Sequence, residues 1–222
     1  MVQAGQPRRL GMGVGRMEAF SDGVLAIVIT LLILDVRVPP AAAAAGHLGR
    51  ALAEQWPQYA AYLISFLVVG IIWLNHHATV QLLARTDHTV QVLNLLLLLP
   101  ISVLPWPTAV LAEYVHEGTV GDQRVAVVLY GATSTAMALA FNVLWRYVLR
   151  HPELRRPDID RQSLAVRNRR YNLGLPAYPV ATLLGLLSET LFIVLMLGLA
   201  VMYLLPTPEI RGQRHPDLDA AA

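Results

Sequence analysis

Apolar positions dominate this chain in long blocks separated by short polar stretches, and the first block sets the pattern. From Arg16 to Val38 the sequence is apolar except for charged residues at its ends, Ser21, Thr30 and one acid inside it, Asp22. That length predicts a membrane-crossing helix over 16–38. Later blocks predict crossings over about 56–77, 89–111 and 125–147. The stretch 173–205, apolar apart from Ser188, Glu189 and a few hydroxyls, is long for one crossing and short for two. Residues 39–55, with Pro39, Pro40 and an alanine run, predict a loop with room for a short helix, and the polar segment 113–124 predicts another. The expected fold class is all-α, a polytopic membrane protein.

Periodicity divides the first helix into two faces. At 100° per residue, Ile27, Leu31 and Leu34 lie within roughly 60° of one another, with Phe20, Gly23, Val24 and Thr30 flanking the stripe. Asp22 lies about 140° round from Ile27 and forms a polar corner with Ser21. A cleavable signal peptide is a competing reading of the same block, since basic residues precede the apolar core and the alanines 41–45 follow it. Asp22, Asp35 and Arg37 argue against it.

Composition narrows the class. The chain has 222 residues, 55% of them hydrophobic, and no cysteine, which excludes disulfides and thiolate metal sites. All 17 basic residues are arginine, and a net charge of +2 implies no nucleic-acid partner. The arginines instead report topology. Eight crowd into 146–170, and placing Arg170, Arg211 and Arg214 on one side requires an even number of crossings after it, with a turn near Ser188 and Glu189. Six helices with both termini in the cytoplasm then leave only Arg37, Arg50 and Arg124 outside. The expected organisation is a cytoplasmic tail over 1–15, a six-helix domain over 16–205 and a cytoplasmic tail over 206–222.

Several residues are candidates for chemistry. An ionised Asp near mid-membrane costs about 2.5–3.5 kcal/mol on insertion scales, so Asp22 is expected to find a partner. With helix 1 entering where helix 2 leaves, Asp22 and Ser21 share a level with Asn75, His76 and His77. A hydrogen-bonded cluster of Ser21, Asp22, Asn75 and one of the histidines is expected, with Arg16 and Asn94 nearby. Ion binding by Asp22 is the functional alternative, and a proton-coupled transporter using Asp22 and His77 follows from it. His76, His77, Asp87 and His88 could ligate a metal, but adjacent histidines point to different helix faces, so no metal site and no cofactor are expected. No nucleophile motif, phosphate loop or paired carboxylates support an enzyme, and a membrane enzyme using the histidines as metal ligands is the last alternative, one that stoichiometric metal would reveal. Thr30 either faces the stripe or bonds back to the Ala26 carbonyl.

The run Arg16, Met17, Glu18, Ala19, Phe20, Ser21, Asp22, Gly23, with Ala26-Ile27 and Thr30-Leu31-Leu32 after it, resembles the first helix of the transmembrane protein 175 family of potassium channels. Trp73, Asn75, His76 and His77 resemble the ending of the family's second helix, and Leu93–Leu99 with Leu104–Thr108 resembles its third. Trp106 stands where Phe is commoner. The resemblance implies a potassium-over-sodium cation channel in a prokaryotic plasma membrane. Helix 1 would line a central pore in a symmetric homotetramer, and Ile27, Leu31 and Leu34 would form its constriction, with Thr30 beside them. Arg16, Phe20, Ser21, Asp22, Trp73, Asn75, His77 and Asn94 would form the network that orients the pore helix.

Overall fold

A computed structural model describes residues 13–41, 45–157, 159 and 161–205; of 116, 117 and 161–163 only the backbone is described. The tails expected at 1–15 and 206–222 fall outside the described residues, apart from 13–15, as do Arg8, Arg9, Arg211, Arg214 and most of the alanine run.

Eight α-helices follow one another among the described residues: α1 Val14–Leu31, α2 Leu48–Glu54, α3 Trp56–Val80, α4 His88–Val103, α5 Pro105–Glu117, α6 Val120–Arg150, α7 Arg161–Gly185 and α8 Glu189–Leu204. Four stretches among the described residues are long and apolar enough to cross a membrane: 14–35, 56–80, 88–115 and 120–150. The first block is not one α-helix to Val38. It passes into a 3₁₀ turn, Leu32–Asp35, and leaves helical geometry at Val36, ahead of Pro39 and Pro40.

The third block also differs from expectation. Its α-helical hydrogen bonding is interrupted at Leu104 between α4 and α5, because Pro105 has no N–H to offer the Ile101 carbonyl and the Leu104 N–H takes that carbonyl at 3.1 Å instead. Thr108 then bonds the Leu104 carbonyl through both its N–H and its hydroxyl. The loop expected over 113–124 is nearly absent. Helix α5 continues to Glu117, Gly118 ends it, and Thr119 with Asp122 closes a capping box that starts α6 at once. Polar composition alone does not stop a helix; a cap and an extended residue do. Near residue 188 the chain turns as expected: α7 ends at Gly185, and the Ser188 hydroxyl accepts the Leu191 N–H to start α8.

Long-range contacts sort the helix ends into two groups. At one end Thr86 of the α3–α4 link approaches Met17 near the start of α1, Tyr147 near the end of α6 donates to Asp87 at 2.7 Å, and Leu83 pairs with Arg155 in an antiparallel bridge. Arg167 Nη1, near the start of α7, donates to the Ala78 carbonyl of α3 at 3.0 Å. Arg170 reaches the Met202, Tyr203 and Leu205 carbonyls that end α8. At the other end Arg37 pairs with Glu113 at 3.3 Å, and Arg124 reaches the Leu186 carbonyl. Consecutive long helices therefore run up and down between two shared ends.

Asp87 organises the link between α3 and α4. It caps α4 by accepting the Val90 N–H at 2.8 Å and also accepts the Tyr147 hydroxyl. Burial pushes its carboxyl up, but those two hydrogen bonds and the neighbouring His151 outweigh it and hold the group below its ordinary value.

The core is one cluster to which all the long helices contribute, centred on α6 where it packs against α4, α5 and α7, with Tyr130, Trp145, Phe192 and Ile64 among its most deeply buried side chains. Its polar atoms pair internally: Ser65 sits 2.8 Å from the Thr108 hydroxyl and 2.9 Å from that of Tyr130. Tyr171 of α7 meets Phe141 and Trp145 of α6 edge-on, with centroids 4.8 and 4.9 Å away. The same two helices approach closely at Gly131, where an added Cβ would overlap the Thr182 side chain. In Gly131→Ala that overlap is expected to cost about 1–3 kcal/mol, more than the roughly 1 kcal/mol gained in helix propensity. Its melting midpoint in detergent should fall, whereas Gly198→Ala, which meets open space, should not lower it.

Candidate functional site

The polar corner of α1 is built by matching spacings on two antiparallel helices. Glu18 and Asp22 lie one turn apart on α1, and Trp73 and His77 lie one turn apart on α3. They pair as two rungs: Trp73 Nε1 donates to Asp22 Oδ1 at 3.0 Å, and His77 Nδ1 lies 2.8 Å from Glu18 Oε1. Gln81 Nε2 donates to His77 Nε2 at 2.7 Å, which assigns the Nδ1–H tautomer, and that N–H donates to Glu18 Oε1. The Trp73 and His77 rings stack at 5.9 Å between the two rungs.

A third helix closes the group from behind. Asn94 of α4, buried with Ser21 and His76, donates from Nδ2 to Ser21 Oγ at 2.8 Å, and its Oδ1 lies 2.8 Å from His76 Nε2. Oδ1 only accepts, so His76 carries its proton on Nε2, and His76 Nδ1 is a buried acceptor with no hydrogen-bond partner among the described residues. Ser21 in turn donates to the Met17 carbonyl at 2.9 Å. Three helices are thus tied by the path Ser21, Asn94, His76 and by the two rungs in front of it.

Not all the expected members meet here. The side chain of Asn75 lies away from Asp22 and lines a small cavity of about 40 Å³ with Asn142, Ser134 and Tyr178 between α3, α6 and α7. One residue of helix is 100° of rotation, so His76 and Asn75 cannot both face α1. Arg16 and Phe20 are exposed, and Arg16 joins neither rung. Glu18 and Gln81 do belong, and the repeat of an acid four residues before Asp22 was the signal that identifies Glu18. His88 begins α4, and no group of three or more His, Asp or Glu side chains gathers among the described residues.

On the opposite side of α1 nothing among the described residues covers the apolar stripe. Ile27 is 60% exposed, Leu31 43% and Leu34 72%, while Met17, Ser21, Leu25, Val28 and Leu32 are buried against the other helices. Val24, expected beside the stripe, is half-buried. The 3₁₀ turn, in which residues three apart eclipse, carries Leu34 towards the azimuth of Leu31. Thr30 Oγ1 bonds back to the carbonyls of Ala26 at 3.0 Å and Ile27 at 2.9 Å.

Comparison with known proteins bears on both faces. The family described as "Endosomal/lysosomal potassium channel TMEM175" matches residues 16–105, the segment that contains every residue of the polar group. A potassium channel of Streptomyces collinus is 47% identical over 177 residues, covering 80% of this chain and 84% of that protein. The crystal structure of a lysosomal potassium-selective channel TMEM175 homolog from Chamaesiphon minutus superposes with a TM-score of 0.76 at 37% identity, covering 86% of this chain and 95% of the other. An endosomal/lysosomal proton channel TMEM175 of Gallus gallus is 33% identical over 144 residues, 61% of this chain and 28% of its own length.

Asn94→Leu removes both arms of the buried bridge and leaves His76 Nε2–H without its partner. The expected loss is about 1–3 kcal/mol for that group, seen as a lower melting midpoint in detergent. Asn94→Asp keeps the acceptor for His76 and should lie between parent and Asn94→Leu. Equal midpoints for all three would contradict a structural role for the bridge.

Proposed function

The chain belongs to the TMEM175 family, and from that premise we propose that it is a membrane channel permeable to potassium over sodium, with the outward stripe of α1 as its hydrophobic constriction. It is an ion channel rather than an enzyme, and permeation needs no cofactor. The observation that carries the constriction is the uncovered aliphatic stripe on a helix whose opposite face is locked by hydrogen bonds.

One α1 cannot surround a pore. In our reading four copies form a symmetric homotetramer with α1 around the axis, so that Ile27, Leu31 and Leu34 form stacked rings spanning roughly 10 Å. Aliphatic rings obstruct ions by dewetting, and an ion must shed part of its hydration to pass. Potassium sheds it at less cost than sodium. Thr30 gives its hydroxyl to its own helix, so the hydroxyl is not the favoured ion ligand.

The reading extends to topology. The grouping of helix ends supports six crossings, α5 completing the crossing begun by α4, and α7 and α8 adding two to the four long apolar stretches. The end holding Arg85, Arg146, Arg150, Arg155 and Arg156 is then the cytoplasmic one, with both termini on that side of a prokaryotic plasma membrane. Asp22, held by Trp73 away from the stripe, serves as a structural anchor. The proton-coupled alternative makes it a titrating group.

Flux from proteoliposomes tests this. Under a potassium gradient the parent should pass ions faster than under a sodium gradient, and Ile27→Ala and Leu31→Ala should change rate or selectivity. Asp22→Asn should lower the yield of assembled protein while the assembled fraction keeps its ion preference. Loss of a pH-dependent, saturable flux in Asp22→Asn, with Ile27→Ala unchanged, would instead support the transporter.

A further inference from the structure

The arginines of the α6–α7 corner divide by what they touch. Arg167 and Arg170 are committed to carbonyls at the ends of α3 and α8, where a cation offsets the negative end of a helix. Arg170 also lies over the Tyr203 ring, 5.4 Å from its centroid. Arg146, Arg150 and Arg169 are different. They are exposed, and among the described residues none has a carboxylate within 4.0 Å.

Their place on the helices is specific. The exposed stripe of α6 is apolar from Val125 through Val128 and Leu139 to Val143, a length of about 27 Å against a hydrocarbon core of about 30 Å. The next positions on that face are Arg146 and Arg150. On α7, running the other way, the exposed stripe of Leu183, Val180 and Leu173 gives way to Arg169. Arg146 Nη2 donates to Asn172 Oδ1 at 3.3 Å, which sets the two stripes at one level. Arg150 and Arg169 sit about one turn beyond it, roughly 6 and 4.5 Å along their helices.

We propose that Arg146, Arg150 and Arg169 form a binding site for the phosphate headgroup of an anionic phospholipid, whose acyl chains lie along the apolar stripes of α6 and α7. Three guanidinium groups with no carboxylate within 4.0 Å among the described residues suit phosphate, which they grip through paired N–H donors. The apolar surface of membrane depth directly below them selects a lipid over a free anion, because a free anion would leave it uncovered. The site requires the chain to cross a bilayer but does not depend on the pore.

The test is retention of added phosphatidylglycerol against phosphatidylcholine by the purified full chain in detergent, read by native mass spectrometry. The parent should prefer phosphatidylglycerol, and excess inorganic phosphate should leave that preference in place. Each arginine near an anionic membrane surface contributes about 1 kcal/mol, equivalent to about fivefold. Arg146→Gln with Arg169→Gln should therefore reduce the preference roughly 25-fold. The charge-matched pair Arg37→Gln with Arg50→Gln should retain it. No preference in the parent, equal loss in both pairs, or displacement of the lipid by phosphate alone would each overturn the proposal; the first needs no variant to fold.

Discussion

A buried amide in a bilayer must satisfy itself within the protein, and Asn94 does so by holding Ser21 with one arm and His76 with the other. That requirement fixes three helices at once. Helix α1 cannot rotate without breaking the Ser21 bond, and α3 cannot rotate without breaking the His76 bond. The rungs Asp22–Trp73 and Glu18–His77 repeat the constraint a few ångströms away, at a second azimuth of the same two helices. Once the polar side of α1 is committed inward, its aliphatic stripe has only one direction to face.

The same economy governs the rest of the bundle. Hydroxyls of Ser65, Thr108 and Tyr130 satisfy one another in the core, and several other threonines and serines bond back to their own helix. Arginines take the carbonyls that helix ends expose, at Ala78 on α3 and at Tyr203 on α8. These bonds make a stiff frame behind α1. In the channel we propose, a stiff frame matters because a small change of radius in an aliphatic ring alters the cost of dehydrating an ion.

Much of this could be read in the chain. Block length gave the long helices, the 100° rule separated Ile27, Leu31 and Leu34 from Asp22, and the charge of the arginines asked for a turn at Ser188. What remained hidden depended on neighbours. Sequence spacing puts Asn75, His76 and His77 at one depth but does not say which azimuth α3 presents, and it is His76 and Trp73, not Asn75, that face α1 and α4. Glu18 joins the polar group only because His77 stands opposite it across α1 and α3. Likewise, the segment 113–124 was polar enough to be a loop, yet the short Gly118-Thr119 junction confines the break to two residues.

The chain contains no cysteine, so a single introduced thiol reports on one position without further engineering. The most direct measurement is Ile27→Cys in proteoliposomes, scored for cross-linking between copies under mild oxidant and for ion flux after a charged thiol reagent is added from the aqueous side. If α1 lines the pore, cross-linked dimers are expected on a denaturing gel together with a flux that the reagent blocks, while Leu95→Cys, exposed on α4, gives neither. An Ile27→Cys protein that conducts, resists the reagent and never cross-links would place α1 away from the axis and rule out Ile27 as a pore-lining residue.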